Sequence, residues 1–163
     1  MPHSKHSSKQ NSHNNQEEDV HKTPTTRNLR YATIFLFLAI LGFADATYLT
    51  IKHFSGTAVT CSLTQGCDVV TGSVYSEIFG IPVALFGALF YLSIILLSVY
   101  FFDKKHERAL QCISKITWLG LGAAIYFSAI QAFVLQAWCQ FCILSAITST
   151  LLFITGMKYK CKR

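Results

Sequence analysis

The sequence predicts an all-α integral membrane protein, a bundle of four transmembrane helices with an outer loop that contains a short amphipathic surface helix. Three observations predict this fold class. Of the 163 residues, 52% are hydrophobic and only 13% are charged, which is too apolar for an ordinary soluble domain. The chain contains four apolar runs, each about long enough to cross a hydrocarbon core of roughly 30 Å. Basic residues gather at the ends of these runs.

The four runs define one membrane domain between two polar tails. They are expected at about Leu29–Ile51, Ile81–Phe102, Cys112–Leu135 and Gln140–Met157. Residues 29–157 then form the membrane domain, and residues 158–163 form a basic cytoplasmic tail. Residues 1–28 are rich in Ser, Asn, His and Gln and hold no hydrophobic run, so a disordered cytoplasmic tail is expected there.

The basic residues predict the orientation of the helices. They lie before the first run, between the second and third, and after the fourth: Arg27 and Arg30; Lys104, Lys105 and Arg108; Lys158, Lys160, Lys162 and Arg163. By the positive-inside rule all three clusters belong on the cytoplasmic side. The segment 52–80 and the turn 136–139 are therefore expected to face the outside. A net charge of +6 distributed in this way does not indicate nucleic-acid binding.

Four of the six cysteines fall on that outer side. Cys139 and Cys142 form a Trp-Cys-Gln-Phe-Cys motif at the start of the fourth run, while Cys61 and Cys67 lie in the outer segment. At spacing i, i+3 on a helix N-terminus two sulfurs share a face, and the unpaired amides stabilise a thiolate. Cys142 lies further along the helix than Cys139, where it can meet an apolar electron carrier. The pattern indicates a membrane thiol-disulfide relay in an oxidising compartment.

Cys112 and Cys161 fall near the reducing side and are expected to be free thiols. Cys112 is interpreted as a small apolar filler in the third helix, and Cys161 as an exposed residue of the tail.

Asp45 stands inside the first run, where it can relay protons, pair with Lys52, or reach loop amides or water. Trp138 is most simply an interfacial anchor. The remaining aromatic residues are expected to pack helices rather than to form a cofactor site: Phe79, Phe86, Phe90, Tyr91, Tyr126 and Phe127.

Paired cysteines also bind metals, so two other classes of function stay open at this point. Cys61, Cys67, Cys139 and Cys142 can in principle close around a zinc ion. A non-catalytic heavy-metal carrier would instead pass a soft cation along thiols that line a path through the bilayer. Here the four cysteines gather on one side, which does not suit such a carrier, and no metal site is expected. A membrane scaffold held by stable disulfides is a further alternative.

The outer segment contains a short apolar repeat. Val74, Ile78 and Ile81 recur at helical spacing before Gly80 and Pro82 lead into the second run. A short amphipathic helix is predicted here, lying on the membrane surface and covering a pocket between the membrane helices.

A spaced series of motifs runs through most of the chain. Cys61 is followed by Cys67 six positions later and by Ser73 six further, then by Gly-Ile-Pro-Val-Ala-Leu-Phe-Gly, and Cys-Gln-Phe-Cys opens the fourth run. This series resembles the vitamin K epoxide reductase family, and its bacterial branch in particular. The likeness spans Leu29 to about Met157.

The resemblance implies a four-helix bundle around a quinone, either ubiquinone or menaquinone. It implies that Cys139 and Cys142 are the active-site dithiol and that Cys61 and Cys67 are the shuttle pair. By the same resemblance Cys67 exchanges with Cys139, Cys61 meets the soluble partner, and Cys142 faces the quinone. Ser73 matches the family serine that helps to hold the active-site region.

The resemblance also implies a partner and a location. Some bacterial relatives carry an attached thioredoxin-like domain, and this chain ends about twenty residues after Cys142. A separate periplasmic thioredoxin-like protein, similar to DsbA, is therefore expected, with this protein in the bacterial inner membrane and its active site facing the periplasm. The quinone is expected to contact Cys142, Ser73, Val83, Phe86 and Ala146.

Two of these positions bear on the substrate. Aligned on Phe86-Gly87 and on Cys142, Val83 and Ala146 stand where vertebrate members of the family use an asparagine and a tyrosine to hydrogen-bond their substrate. Neither valine nor alanine has a side chain that forms hydrogen bonds. The resemblance therefore implies a quinone reductase with poor or no activity on vitamin K epoxide.

Overall fold

Helices make up most of the chain. The computed structural model describes residues 26–57, 59 and 66–161, so the predictions for residues 1–25, for Cys61 and for residues 162–163 lie outside the described part. In chain order the elements are α1 (Thr26–Phe54), α2 (Cys67–Thr71), a 3-10 turn (Val74–Ser76), β1 (Glu77–Ile78), β2 (Ile81–Pro82), α3 (Val83–Lys104), α4 (Glu107–Ala129), which continues as a π-helical turn (Ile130–Leu135), and α5 (Gln140–Cys161).

The four predicted membrane runs are confirmed as helices that are long and apolar enough to cross a membrane. Their bounds match the predicted ones within a few residues. The first helix begins at Thr26 rather than at Leu29, and the last continues to Cys161 rather than ending at Met157. Short parts of both predicted tails are thus helical. The turn 136–139 is not helical, as expected.

The long helices pack side by side into one bundle in which α1 and α4 each contact both α3 and α5. Two ring pairs fix the relative direction of α1 and α5. Tyr31 near the start of α1 meets Tyr159 near the end of α5, with ring centroids 5.7 Å apart. Tyr48 in the second half of α1 meets Phe141 at the start of α5, with centroids 5.0 Å apart. The two helices therefore run antiparallel.

The interior of the bundle is apolar and closely packed. Phe35, Ile94 and Leu110 are fully buried there. A Cβ atom added to Gly42 would overlap the ring of Tyr91, so the close crossing of α1 and α3 requires a glycine at this position. Small residues of this kind let the backbones of membrane helices approach each other.

The outward faces of the bundle are apolar as well. Phe37 and Ile125 are each 63% exposed, as expected for a surface in contact with lipid. Cys112 is a free thiol, but it is exposed rather than packed, because its side of α4 faces away from the other helices. Cys161 is also free and exposed, at the end of α5. Both predictions of a free thiol are confirmed, while the filler interpretation of Cys112 is wrong.

The short surface helix exists, but it lies earlier than the repeat predicted. It is α2, whereas Val74 begins the 3-10 turn and Ile78 pairs with Ile81 in an antiparallel hairpin. The hairpin turn consists of Phe79 and Gly80, whose φ angles of 54° and 76° are both left-handed, as in a type I′ turn. The apparent helical period arises because the tight turn brings Ile78 opposite Ile81.

Candidate functional site

Cys139 and Cys142 lie at the start of α5, as the motif predicts. Cys139 precedes the first helical residue, and its carbonyl oxygen accepts a helical hydrogen bond from the N–H of Ile143 at 3.0 Å. Its sulfur accepts hydrogen bonds from the thiol of Cys142 and from the backbone N–H groups of Phe141 and Cys142. Cys139 is therefore the N-cap of α5, with a sulfur in place of the usual side-chain oxygen.

These hydrogen bonds make Cys139 acidic. The thiol of Cys142 contributes most, and together with the two backbone N–H groups it lowers the pKa of Cys139 from 9.0 to about 7, against the opposite effect of burial. The positive end of the helix dipole favours a negative charge at the same place. Cys139 is thus able to hold a thiolate near neutral pH, which is the form that attacks a disulfide.

The Cys139 side of the pair is closed. Cys139 is fully buried and packs in an apolar cluster that includes Cys67 and Val70 of α2. Cys67 is 1% exposed and is disulfide-bonded. The fold thus brings Cys67 and Cys139, two of the predicted site cysteines, into one buried cluster. Cys61 lies outside the described residues.

Helix α2 approaches the Cys139 segment closely because residue 66 is a glycine. A Cβ atom built on Gly66 would lie 2.9 Å from the backbone nitrogen of Trp138 and 3.0 Å from the Cβ of Ala137. The φ angle of Gly66 is −109°, which any residue can adopt, so the requirement here is for space. This contact sets the separation between Cys67 and Cys139.

The Cys142 side of the pair is open. Cys142 lines a cavity of about 350 Å³ between the four long helices, a volume in the range that accommodates small organic ligands. The described residues that line the cavity do not include Cys139. The lining does include all five residues expected to contact a quinone: Cys142, Ser73, Val83, Phe86 and Ala146.

The segment between α2 and α3 covers one end of this cavity, as predicted. The hydroxyl of Ser73 donates to the carbonyl of Val70 at 2.8 Å, and the hydroxyl of Ser76 donates to the carbonyl of Ser73 at 2.7 Å. Ser73 therefore closes the end of α2 while it also lines the cavity. The Nε2 atom of His53 lies 3.3 Å from a carboxylate oxygen of Glu77, and this contact ties the end of α1 to β1.

Aromatic side chains contribute more to the cavity than predicted. Phe90, Tyr91 and Phe127, which were expected to pack helices, also line it, together with the predicted Phe86. The helix faces that pack inside the bundle also form part of the cavity wall. One ring can therefore pack against a neighbouring helix and line the cavity. Trp138 is outside the described lining and is 48% exposed, which fits an interfacial anchor.

Gln131 also belongs to the site, although the sequence pattern did not predict it. It lies in the π-helical turn, is 3% exposed and lines the cavity. Its Oε1 accepts the backbone N–H of Cys139 at 3.1 Å, and its carbonyl accepts the N–H groups of Gln136 and Ala137. One residue thus joins the end of one helix to the start of the next, in the kind of turn that is frequent at functional sites. The sequence signal that could have indicated Gln131 is a single amide side chain within an apolar run.

Asp45 faces the same cavity from α1. It is 7% exposed, and neither of its carboxylate oxygens has a hydrogen-bond partner among the described residues. Asp45 forms no ion pair with Lys52, whose Nζ instead lies 5.9 Å from the centre of the Tyr48 ring. Of the interpretations left open for Asp45, the pairing with Lys52 is therefore wrong.

The sequence matches a known family over most of its length. Residues 33–157 match the model of the Vitamin K epoxide reductase family. The matched span extends from the first turns of α1 almost to the end of α5, and it includes both cysteine pairs. Together with four apolar helices, this match shows a multi-pass membrane protein. The chain therefore belongs to the vitamin K epoxide reductase family, and it is a membrane thiol-disulfide oxidoreductase.

Proposed function

We propose that this protein takes electrons from a separate thioredoxin-like, DsbA-like protein and passes them to a quinone, and so supports disulfide bond formation. The observation that carries the proposal is the position of the two cysteines at the start of α5. Cys139 is buried in a cluster with Cys67, whereas Cys142, which packs against the same cluster, also lines the cavity. Electrons can thus enter on one side of the pair and leave on the other.

In this proposal Cys61 and Cys67 form the shuttle pair. The soluble partner exchanges with Cys61, and the Cys67 thiolate then attacks the disulfide of the active pair at Cys139. Cys67 in a disulfide, with Cys139 and Cys142 as free thiols, corresponds to the state after the electrons have moved to the active pair. The thiolate character of Cys139 supports rapid exchange at neutral pH.

The proposed electron acceptor is ubiquinone or menaquinone, which takes up two electrons and two protons when bound. A largely apolar cavity of about 350 Å³ suits a quinone ring. Val83, Phe86 and Ala146 offer apolar contacts, and Ser73 holds the end of α2 beside them. Since neither Val83 nor Ala146 can form a side-chain hydrogen bond, quinone rather than vitamin K epoxide is the proposed substrate.

The proposed location is the bacterial inner membrane, with α2, the hairpin and the turn 136–139 on the periplasmic side. The basic residues at the start of α1, around the α3–α4 connection and at the end of α5 support this orientation by the positive-inside rule. Labelling of reduced cysteines in intact cells tests it. An impermeant maleimide should modify Cys61 or Cys67 but not Cys161, and labelling of Cys161 would reverse the orientation.

The acceptor is tested with the purified protein, a small dithiol, and either a quinone or a vitamin K epoxide. We expect quinone reduction and little or no epoxide reduction, and comparable rates with the two acceptors would contradict the proposed substrate. The Cys112→Ser and Cys161→Ser variants are the matched controls, because these two free thiols are exposed and outside the site. Both should keep the activity of the unmodified protein.

The partner is tested by trapping. In the Cys67→Ser variant, the Cys61 thiolate can still attack the disulfide of the oxidised partner, which forms a mixed disulfide and releases one partner thiolate. Cys67 is then missing as the resolving thiol, so the mixed disulfide should accumulate. Mass spectrometry of the trapped species identifies the protein attached to Cys61. We expect a periplasmic thioredoxin-like protein, and accumulation of an unrelated protein would contradict this part of the proposal.

A further inference from the structure

A buried acid without a partner faces the cavity beside the active pair. Asp45 is 7% exposed, and both of its carboxylate oxygens lack a hydrogen-bond partner among the described residues. The other acidic side chains that the structure describes, Asp68, Glu77 and Asp103, are all exposed. An ionised carboxylate buried in this way costs several kcal/mol, so Asp45 is more stable with its proton.

The neighbours of Asp45 connect it to the redox chemistry. Its carboxyl group interacts electrostatically with the sulfurs of Cys139 and Cys142, and with the hydroxyl of Tyr91. A negative charge on Asp45 opposes a thiolate at either cysteine, since like charges repel. A thiolate on Cys139 and a protonated Asp45 are therefore compatible with each other.

Besides Cys142, the other titratable groups in the cavity wall are Tyr75, Tyr91 and His53, and they are less suited to give a proton to a bound molecule. Tyr75 is 46% exposed, and a phenol holds its proton more tightly than a carboxyl group does. The Tyr91 hydroxyl lies 3.0 Å from the carbonyl of Ser145 and 2.9 Å from the hydroxyl of Ser149, so it is already engaged. His53 lies at the end of α1 and is paired with the Glu77 carboxylate. Asp45 is a buried acid that faces the cavity, and no described residue forms a hydrogen bond with its carboxyl group.

We propose that the Asp45 carboxyl, in the wall that it shares with Cys142, donates a proton to an oxygen of the quinone bound in the cavity. This inference rests on the proposed function. Before the reaction the active pair holds a thiolate on Cys139 and a thiol on Cys142. When their disulfide forms, the pair gives up two electrons and the Cys142 proton. Reduction to the quinol takes two electrons and two protons, and Asp45 supplies the second proton and becomes a carboxylate.

The proton of Asp45 is then restored from the outer side. Asp45, Leu49 and His53 lie on successive turns of α1, and all three line the cavity. The cavity therefore extends from the carboxylate to the partly exposed His53, which gives water a route to Asp45. Total charge is conserved in the transfer, because one thiolate is lost and one carboxylate is formed.

The Asp45→Asn variant tests the proposal. Asparagine has nearly the same shape but no acidic proton, so kcat for quinone reduction should fall by about 10²- to 10⁴-fold, with a small change in KM. Asp45→Glu should restore part of the rate. Equilibration of the Cys139–Cys142 disulfide with a small dithiol, measured without quinone, should be unchanged in both variants. A wild-type kcat in Asp45→Asn would overturn the proposal.

Thr47→Val is the matched control. The Thr47 hydroxyl is also a buried group of α1 without a hydrogen-bond partner among the described residues, but Thr47 does not line the cavity. This variant should keep the wild-type rate. If Asp45→Asn lost dithiol exchange together with quinone reduction, Asp45 would have a structural role instead, which also overturns the proposal.

A second measurement does not depend on the folding of Asp45→Asn. Infrared difference spectra of the unmodified protein, recorded over a single turnover with quinone, should show the loss of a protonated-carboxyl band. That band should shift in Asp45→Glu, and a spectrum without it contradicts the proposal. If the unmodified protein does not reduce quinone at all, the proposed function fails. If it does so without a carboxyl signal, only the role of Asp45 fails.

Discussion

The two sides of the cysteine pair differ in packing and in polarity. On the Cys139 side, buried side chains fill the space and α2 can approach only because residue 66 is a glycine. On the Cys142 side, a cavity of about 350 Å³ keeps two buried polar side chains, Asp45 and Gln131, beside open space. Exchange between two protein sulfurs requires fixed positions, whereas a small acceptor that enters and leaves requires room. Two cysteines one helical turn apart satisfy both requirements.

The largest expected effect comes from removing one cysteine of the active pair or one of the proposed shuttle pair. Cys142→Ala should abolish turnover with both a small dithiol and the protein partner, because both routes use the active pair. Cys61→Ser should reduce turnover with the protein partner far more than with the small dithiol, since a small reductant can reach the active pair directly. Quinone reduction is measured with each donor, and Cys161→Ser is the control. Quinone reduction that survives Cys142→Ala would show that the cavity side has been assigned to the wrong cysteine.

The acidity of Cys139 links the two sides and gives the next largest effect. The thiol of Cys142 is the largest cause of the lowered pKa of Cys139, so Cys142→Ala should raise that pKa from about 7 towards 9. Cys142→Ser keeps a hydroxyl that can donate to the Cys139 sulfur, so the pKa of Cys139 should rise less than in Cys142→Ala. A higher pKa means less thiolate at pH 7, by about fiftyfold if the pKa rises from 7 to 9.

The measurement is the ultraviolet absorbance of the thiolate as a function of pH. The variants keep Cys139 as their single cysteine, so that one thiol titrates. Residue 142 is then compared as alanine and as serine. Equal titration midpoints in the two variants would mean that the helix N-terminus alone, and not the side chain at residue 142, makes Cys139 acidic.

The fit of the closed side is tested at Gly66, where a smaller effect is expected. The added methyl group of Gly66→Ala meets the backbone of Trp138 and the Cβ of Ala137, neither of which can move aside easily. Displacement of α2 by a fraction of an ångström should slow electron transfer from the protein partner by about tenfold or more. The rate with a small dithiol should change little. Gly122→Ala is the matched control, because a Cβ atom there meets nothing within 4 Å.

The closed side and the open side also differ in how far the sequence predicts them. The positions of Cys139 and Cys142 follow from the spacing of the motif and from its place at the start of an apolar run. The cavity wall does not follow from the sequence in the same way. Membrane helices are apolar on all faces, so periodicity does not show that Phe90 and Phe127 turn inward. That rotation depends on packing, for example on the contact of Gly42 with Tyr91.

The hairpin shows a second limit of prediction from sequence. Ile78 and Ile81 have helical spacing, but the same spacing results when two residues flank a two-residue turn. Gly80 is a signal for such a turn, since its φ angle of 76° suits glycine. Phe79 is not, because a phenylalanine with a φ angle of 54° is uncommon. Its side chain is fully exposed, so the pairing of Ile78 with Ile81, and not side-chain packing, holds the turn. Local pattern alone therefore favoured the wrong element.

The smallest expected effect is at Gln131, whose side chain contacts the backbone of Cys139 and also lines the cavity. Gln131→Met has a similar length but no acceptor, so the buried N–H of Cys139 loses its partner. The free energy of unfolding should fall by about 1 to 3 kcal/mol, and turnover should fall a few-fold with either donor. Gln131→Glu keeps an acceptor for this N–H and should retain more of the stability. Thermal unfolding in detergent and the rate of quinone reduction are compared for the two variants. If Gln131→Met changed only KM for quinone and left stability intact, Gln131 would act as part of the cavity wall and not as the support of Cys139.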